Sequence, residues 1–477
     1  MGQEIADTHF RERDFTEFRR RLDAETELLG VWFREGRLSG QGGIGGYELE
    51  AWLVDGSLRA APVNQAFLER LGDERVVPEL ARFNVELNGA ARVLRGDALS
   101  AMHRELEEIW RRCEGAAAEP GVRPLMTGIL PTLRESELSL ANMSPLKRYR
   151  ALNEQVLRLR DGRPLRLDIQ GREHLHVEHH DLMLEAAATS FQIHLQVGRE
   201  RAVRAYNAAL IASAPIVAAA ANSPYLFGRD LWDETRIPLF EQSAEVGGYD
   251  GAAGGPTRRV TFGSDYARDS LLEWFVENRD HYPVLLPMCS DGPPEALAHL
   301  RLHNGTIWRW NRPLIGIESG GGVHLRIEHR AVPGGPTVAD AIANAALFFG
   351  LVESLGARPV PPEHELAFAC ARDNFYAAAR FGLRANVGWF GERRGPVQAL
   401  LLDELLPAAR RGLRRLELDA ADADEYLGII EARVRTARNG TAWQRAWVER
   451  HGRDPAALTA AYLERQGAGA PVHEWTV

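Results

Sequence analysis

The chain has 477 residues, 45% hydrophobic and 26% charged, and its 57 Lys+Arg against 66 Asp+Glu give a net charge of −9. This balance excludes a disordered or fibrous chain and lacks the basic excess of a phosphate-backbone binder. Three scattered cysteines, Cys113, Cys289 and Cys370, show no CxxC spacing, which excludes a disulfide framework and a cysteine zinc site and fits a reducing compartment.

The first 21 residues are dense in Asp, Glu and Arg, so no secretory signal is read there and a cytoplasmic location is expected. Helical periodicity then marks 15–34, 98–113, 201–221, 339–355, 363–381 and 397–416, with 422–437 and 455–466 completing a helical C-terminal region. The apolar run 208–221 is too short to span a bilayer and reads as a tightly packed helix. Gly- and Pro-rich breaks at 42–46, 247–256, 320–322 and 359–362 come without a shift in composition. One catalytic domain over 1–477 is therefore expected: an N-terminal helix in 1–40, a sheet with inserted helices in 46–330, and a mainly helical part in 339–477. The fold class is α+β, a mainly antiparallel sheet with helices packed behind it.

Four segments between the helices alternate in a shared way. Gly46-Tyr-Glu-Leu-Glu-Ala-Trp-Leu-Val54 puts Glu48 and Glu50 on one face and Tyr47, Leu49 and Ala51 on the other. Phe83 to Asn88 likewise sets Asn84, Glu86 and Asn88 against Phe83, Val85 and Leu87. Ser190 to Val197 sets Gln192, His194 and Gln196 against Phe191, Ile193, Leu195 and Val197. Val323 to Arg330 sets His324, Arg326, Glu328 and Arg330 against Val323, Leu325 and Ile327. A strand with one wet face explains any one of them. Together they offer mainly carboxylate, amide and imidazole donors, which is unusual for solvent faces.

If the strands lie side by side, Glu48, Glu50, Glu86 and Glu328 repel one another unless cations neutralise them. Oxygen donors with a minority of imidazole suit Mg²⁺ or Mn²⁺ better than zinc or copper. Arg326 and Arg330 suit bidentate recognition of phosphate or carboxylate, and Arg236, read here as lying in a strand, is a further anion clamp or a surface salt bridge. Lys147 is the only lysine, and its Ser-Pro-Leu-Lys-Arg-Tyr setting is neither a P-loop nor a kinase strand. Carboxylates holding cations, arginines nearby and no P-loop point to phosphoryl transfer from a metal–ATP complex.

The chain resembles the glutamate–cysteine ligase and carboxylate–amine ligase superfamily, whose fold is related to glutamine synthetase. The resemblance rests on Gly46-Tyr-Glu-Leu-Glu50, Val85-Glu-Leu-Asn-Gly89, Thr189-Ser-Phe-Gln-Ile-His-Leu-Gln-Val197, Ala221-Asn-Ser-Pro-Tyr225 and Ile327-Glu-His-Arg330. Asn304-Gly-Thr-Ile-Trp308 and Asn439-Gly-Thr-Ala-Trp443 resemble later motifs, so that the match spans 46–443 in order.

It implies a curved antiparallel sheet whose concave face holds Mg²⁺ around the ATP phosphates. Glu48, Glu50, Glu86, His194 and Glu328 match metal ligands, Arg330 and Arg236 match catalytic or substrate-contacting arginines, and Arg326, Gln192 and Gln196 are assigned to nucleotide binding. The implied reaction joins the γ-carboxylate of glutamate to the amine of cysteine through an acyl phosphate, with another acid–amine pair as the nearest alternative. Two departures stand out: Gln192 and Gln196 lie where some members carry a second histidine, and Glu-His-Arg replaces the usual Glu-Met-Arg or Glu-Leu-Arg. His329 should point to the apolar back. The partners implied are small-molecule substrates, with no nucleic acid and no membrane; the oligomeric state is not legible.

Other signals compete. Glu173-His-Leu-His-Val-Glu-His-His-Asp181 resembles a metal box without HExxH spacing, and would support a metal-dependent hydrolase if its ligands converged. A guanidino-kinase would use related chemistry without an amine acceptor, and a non-catalytic binding protein would not need the acidic set intact. Trp308 and Trp310 share one face and are read as core, with nucleotide stacking the alternative. The glycine-rich 247–255 is read as a loop over the site. Glu50→Ala or Glu328→Ala is expected to abolish turnover and leave the fold intact.

Overall fold

The computed structural model describes residues 5, 8–118, 121–246, 258–318 and 320–477, so the loop read at 247–255 lies outside the described residues. Strands β1 (Ile44–Val54), β2 (Val76–Pro78), β3 (Asn84–Asn88), β4 (Arg92–Val93), β5 (Arg123–Leu125), β6 (Phe191–Val197), β7 (Asn311–Ile317) and β8 (Val323–His329) form one curved sheet. Its order is β7-β8-β6-β1-β3-β2, antiparallel throughout, with β4 and β5 pairing the two ends of β1. The four alternating segments become β1, β3, β6 and β8, and they stand in one uninterrupted row.

Alternation works as expected on the back face. Leu49, Leu87, Phe191, Ile193, Leu325 and Ile327 are all buried there. His329 also points to this side, where its ring stacks on Phe348 at 4.7 Å and its Nδ1 lies 2.9 Å from Asn311 Oδ1. Burial pushes the His329 imidazole down to about 3, so it is neutral.

Helices Ala202–Ala220 and Val338–Gly356 cover this face, packing on the sheet and on each other. Both are apolar nearly all round and long enough to cross a membrane by composition, yet 89% and 83% of their apolar windows are buried within the protein, as sandwiched core helices should be. Further helices, Phe368–Phe381, Leu406–Arg415 and Ala420–Arg435, pack around this pair.

A second apolar cluster lies beyond the Trp52 end of β1, where Trp52 stacks on Phe83 at 5.6 Å. The C-terminal helices Gly440–His451 and Pro455–Gly467 close it. The Asn222 and Asn439 motifs meet here. Asn222 donates to Gly334 O and the Tyr462 hydroxyl and accepts from Gln444, and a Cβ on Gly440 would sit 2.0 Å from Asn222 Oδ1. These motifs therefore fasten the C-terminal helices to the sheet. Gly89 has a similar reason: a Cβ there would lie 2.3 Å from the Tyr47 ring.

Some elements depart from the expectations of periodicity. Strand β7 is masked in the sequence by Pro313, which an edge strand tolerates. Arg236 begins a helix, Arg236–Ser243, and does not lie in a strand: Asn222 N bonds Glu234 Oε2 and Thr235 N bonds Ser223 O, which turns the chain just ahead of it. The histidine-rich segment is one strand (His174–His179) of a hairpin with Leu165–Gln170, where exposed His174 bonds Asp168 at 2.7 Å.

Candidate active site

The concave face does not meet bulk water as an ordinary sheet face would. It floors a cavity of ≈ 870 Å³, within the size range of small-molecule sites, and every residue of β6 is buried. Antiparallel register sets the floor: Glu48 lies opposite Gln192, Glu50 opposite Glu86, Glu328 opposite both His194 and Arg312, and Arg326 opposite Gln196.

Two groups of ligand atoms result, each with its atoms within 4.8 Å of one another: Glu48, His194 and Glu328 in one, Glu50, Glu79 and Glu86 in the other. In the first, His194 Nε2 lies 3.3 Å from Glu48 Oε1 and 3.9 Å from Glu328 Oε1. Neither ring nitrogen of this buried histidine has a hydrogen-bond partner among the described residues. Burial resists ionisation of Glu48, but the adjacent His194 outweighs it and holds the carboxyl at about 2.

In the second group nothing outweighs burial at Glu50 and Glu86. It pushes Glu50 up to about 7, with Glu79 adding repulsion, and drives Glu86 well above the carboxylate range, with Glu48 and Glu79 adding to it. Facing carboxyls that resist ionisation, as Glu50 and Glu86 do, are stable in the charged form at neutral pH with a cation between them. The donor sets, three carboxylates in one group and two plus an orphaned imidazole in the other, fit hard divalent cations such as Mg²⁺ or Mn²⁺.

Arginines frame the floor. Arg312 grips Glu328 in bidentate fashion at 2.8 and 3.0 Å, and Arg330 Nη1 reaches the same carboxylate at 3.0 Å. The two guanidiniums overcome burial and keep Glu328 ionised well below the usual range. Both Glu328 oxygens are thus engaged in ion pairs, so its part in a cation site is shared with a structural one.

Gln192 links the groups, donating to Glu50 Oε1 at 2.9 Å and accepting from Arg330. Arg330 retains a buried Nε without a partner among the described residues. Arg236 also lines the cavity, though its guanidinium bonds Glu234 at 3.2 Å and the Arg330 and Ala331 carbonyls at 3.3 Å. Arg326 and Arg301 line the cavity with no side-chain hydrogen bond or ion pair among the described residues, which leaves a cationic end near β7 and β8.

Of the residues singled out by alternation, Glu48, Glu50, Glu86, Gln192, His194, Arg326, Glu328 and Arg330 line one cavity with Arg236. Gln196 does not line it, and its amide turns to the Gln41 carbonyl at 3.4 Å. Glu79, Arg312, Glu185, Tyr149 and Arg301 line it without having been singled out. Glu79 follows a three-residue strand, too short to show a period, and Pro313 masks the strand that aims Arg312. Trp308 lines the cavity, whereas Trp310 is core and donates its indole N–H to Glu241 at 2.9 Å.

Comparison with solved structures gives the glutamate–cysteine ligase of Francisella tularensis in complex with AMP, with TM-score 0.57, 11% identity, and coverage of 92% of this chain and 96% of that one. A bifunctional glutathione synthetase from Pasteurella multocida follows with TM-score 0.48 and 10% identity, over 94% of this chain and 55% of that one. At such identities the first likeness speaks for the fold alone. Comparison with curated proteins gives no match. The sequence profile of the family described as glutamate-cysteine ligase family 2 (GCS2) matches residues 44–464, from the first residue of β1 into the last long helix. The chain belongs to the glutamate–cysteine ligase family 2.

Proposed function

We propose that this chain is an ATP-dependent carboxylate–amine ligase that joins the γ-carboxylate of L-glutamate to the amine of L-cysteine through an acyl phosphate. The observation that carries the reading is the pairing of two cation-ready groups on the floor of one cavity, flanked by the guanidiniums of Arg330 and Arg326. Family membership and the likeness in fold to a glutamate–cysteine ligase support the same chemistry.

Glu48 and His194, with Glu328, would hold one cation, and Glu50, Glu79 and Glu86 another. Bound there, divalent cations would supply charge neutralisation for the ATP tail. Arg326, with no ion pair of its own among the described residues, offers its N–H groups to phosphate oxygens at the cationic end of the cavity. Arg330, held in place through Nη1 by Gln192 and Glu328, lines the cavity and brings its guanidinium charge to the phosphoryl group in transfer.

The substrate carboxylate attacks the γ-phosphorus and ADP leaves; the amine then attacks the acyl carbon and phosphate leaves. Holding the three reactants in one cavity supplies the proximity these two displacements need, and no protein nucleophile is required.

ADP release with ATP, Mg²⁺ and glutamate, with and without cysteine, tests the reading when product mass is read in parallel. Cysteine-dependent ADP with a γ-glutamylcysteine mass is the expected result. ADP release with another acid–amine pair would keep the ligase and discard these substrates, and no ADP with any pair in folded protein would discard both. The hydrolase alternative gains nothing from the histidine segment, since exposed His174 and His176 converge only on Asp168, and none of the three lines the cavity.

A further inference from the structure

Among the described residues, six carboxylates line the cavity: Glu48, Glu50, Glu79, Glu86, Glu185 and Glu328. Five belong to the two cation-ready groups, and Glu185 does not. It stands on a 3₁₀ turn, Leu182–Ala187, fixed at its start where Asp181 accepts from Met183 N. Its Oε2 is buried without a hydrogen-bond partner among the described residues, although Arg330 lies near enough to be felt. A half-buried carboxylate with one oxygen buried and unpartnered costs free energy, and a chain that keeps one at the wall of a reaction cavity has a cationic ligand to gain from it.

The ligase reading, on which this inference rests, supplies such a ligand. At neutral pH an amine substrate arrives as an ammonium ion, and its nitrogen has no lone pair until a proton is removed. We propose that Glu185 is the docking site for the ammonium group of the amine substrate and the acceptor of its first proton.

The step balances. One proton passes to a Glu185 oxygen, the freed lone pair forms the C–N bond, and the acyl C–O bond breaks with its electrons going to phosphate. The second nitrogen proton leaves on that phosphate as hydrogen phosphate. The surroundings of Glu185 suit a proton acceptor. Burial, with repulsion from Glu79 and Glu50 against the pull of Arg330, pushes Glu185 up to about 8, so in the empty site it keeps its proton at neutral pH. An ammonium ion beside it favours the charged form and displaces that proton, and the carboxyl regains one as the ammonium gives it up.

Hydroxylamine tests the assignment, because it is neutral at neutral pH and needs to shed only the proton that leaves on phosphate. ATP, Mg²⁺ and glutamate are incubated with either hydroxylamine or L-cysteine, cysteine being replaced by the amino acid of highest wild-type turnover if the substrate screen prefers another. Glu185→Gln should lower kcat/KM for the amino acid by roughly 100-fold or more, while hydroxamate formation stays near the wild-type rate.

Equal loss with both acceptors, or no loss with either, would overturn the assignment. If E185Q does not fold, Glu185→Asp, which keeps the charge but retracts it, should lower the amino-acid rate relative to the hydroxamate rate; an unchanged ratio overturns the proposal. Wild-type protein that forms no hydroxamate with glutamate or with any other acid of the substrate screen would instead remove the ligase reading, and this assignment with it.

Discussion

Glu50 and Glu86 face each other directly across the antiparallel pair β1 and β3, with Glu79 completing the trio from the neighbouring edge. Like charges opposite each other in a sheet are destabilising, and burial worsens it. Glu50, held at about 7, keeps its proton in the folded state after the unfolded chain has lost it. Its stabilising contribution is complete below the ordinary carboxylate range and is lost as pH rises through about 7, and Glu86 acts in the same direction.

A divalent cation competes with those protons, so its benefit has the opposite slope. Thermal melting with and without Mn²⁺ should show a larger upward shift at roughly pH 8 than at roughly pH 5, the difference being the part that belongs to this trio. Glu86→Gln should shrink that shift. A shift independent of pH, or unchanged in E86Q, would remove the cation assignment from this trio.

Glu328 and Glu48 separate structure from chemistry. Glu328→Ala is expected from the sequence to spare the fold, but the bidentate grip of Arg312 and the contact from Arg330 argue for a cost, because removing the carboxylate leaves the buried Arg312 guanidinium without its charge partner. Urea denaturation of E328A should show a loss of about 3–5 kcal/mol. Glu48 forms no such arginine pair among the described residues but pairs with buried His194 at 3.3 Å, so Glu48→Gln should abolish ADP release at a smaller cost in stability than E328A.

His329 is predicted to be structural. Replacing it with Leu keeps the packing on Phe348 but leaves Asn311 Oδ1 without its buried partner, at a cost of about 1–3 kcal/mol. Turnover should remain. Because the ring is already neutral, with its value at about 3, the change should leave the pH dependence of stability between roughly pH 5 and 9 untouched.

Gly440→Ala is the matching test for the C-terminal helices. The added Cβ would press on Asn222 Oδ1, whose side chain is fixed by Gly334, Tyr462 and Gln444, so it has no easy retreat. A loss of about 1–3 kcal/mol is expected in urea denaturation. An unperturbed midpoint would show that the Asn222 contact does not fasten these helices.

Alternation along four short segments carried most of the floor of the site. A strand has a period of two, so the identities of residues 48, 50, 86, 192, 194, 328 and 330 already decided which side chains would share a face once the strands paired. The same period placed His329 on the back. What one strand does not contain is its neighbour.

That Glu50 meets Glu86, that Arg312 holds Glu328, and that Glu79 and Glu185 join the cavity from a strand end and a 3₁₀ turn follow from register and from chain crossings many residues apart. Gln196 shows the limit of periodicity: it sits on the correct face, yet the curve of the sheet leaves it bonded to Gln41 and off the cavity wall. The donors and the faces they share were determined by local strand geometry, which the amino-acid order contains. Only the tertiary fold decided which donors converge, because convergence is a property of long-range pairing.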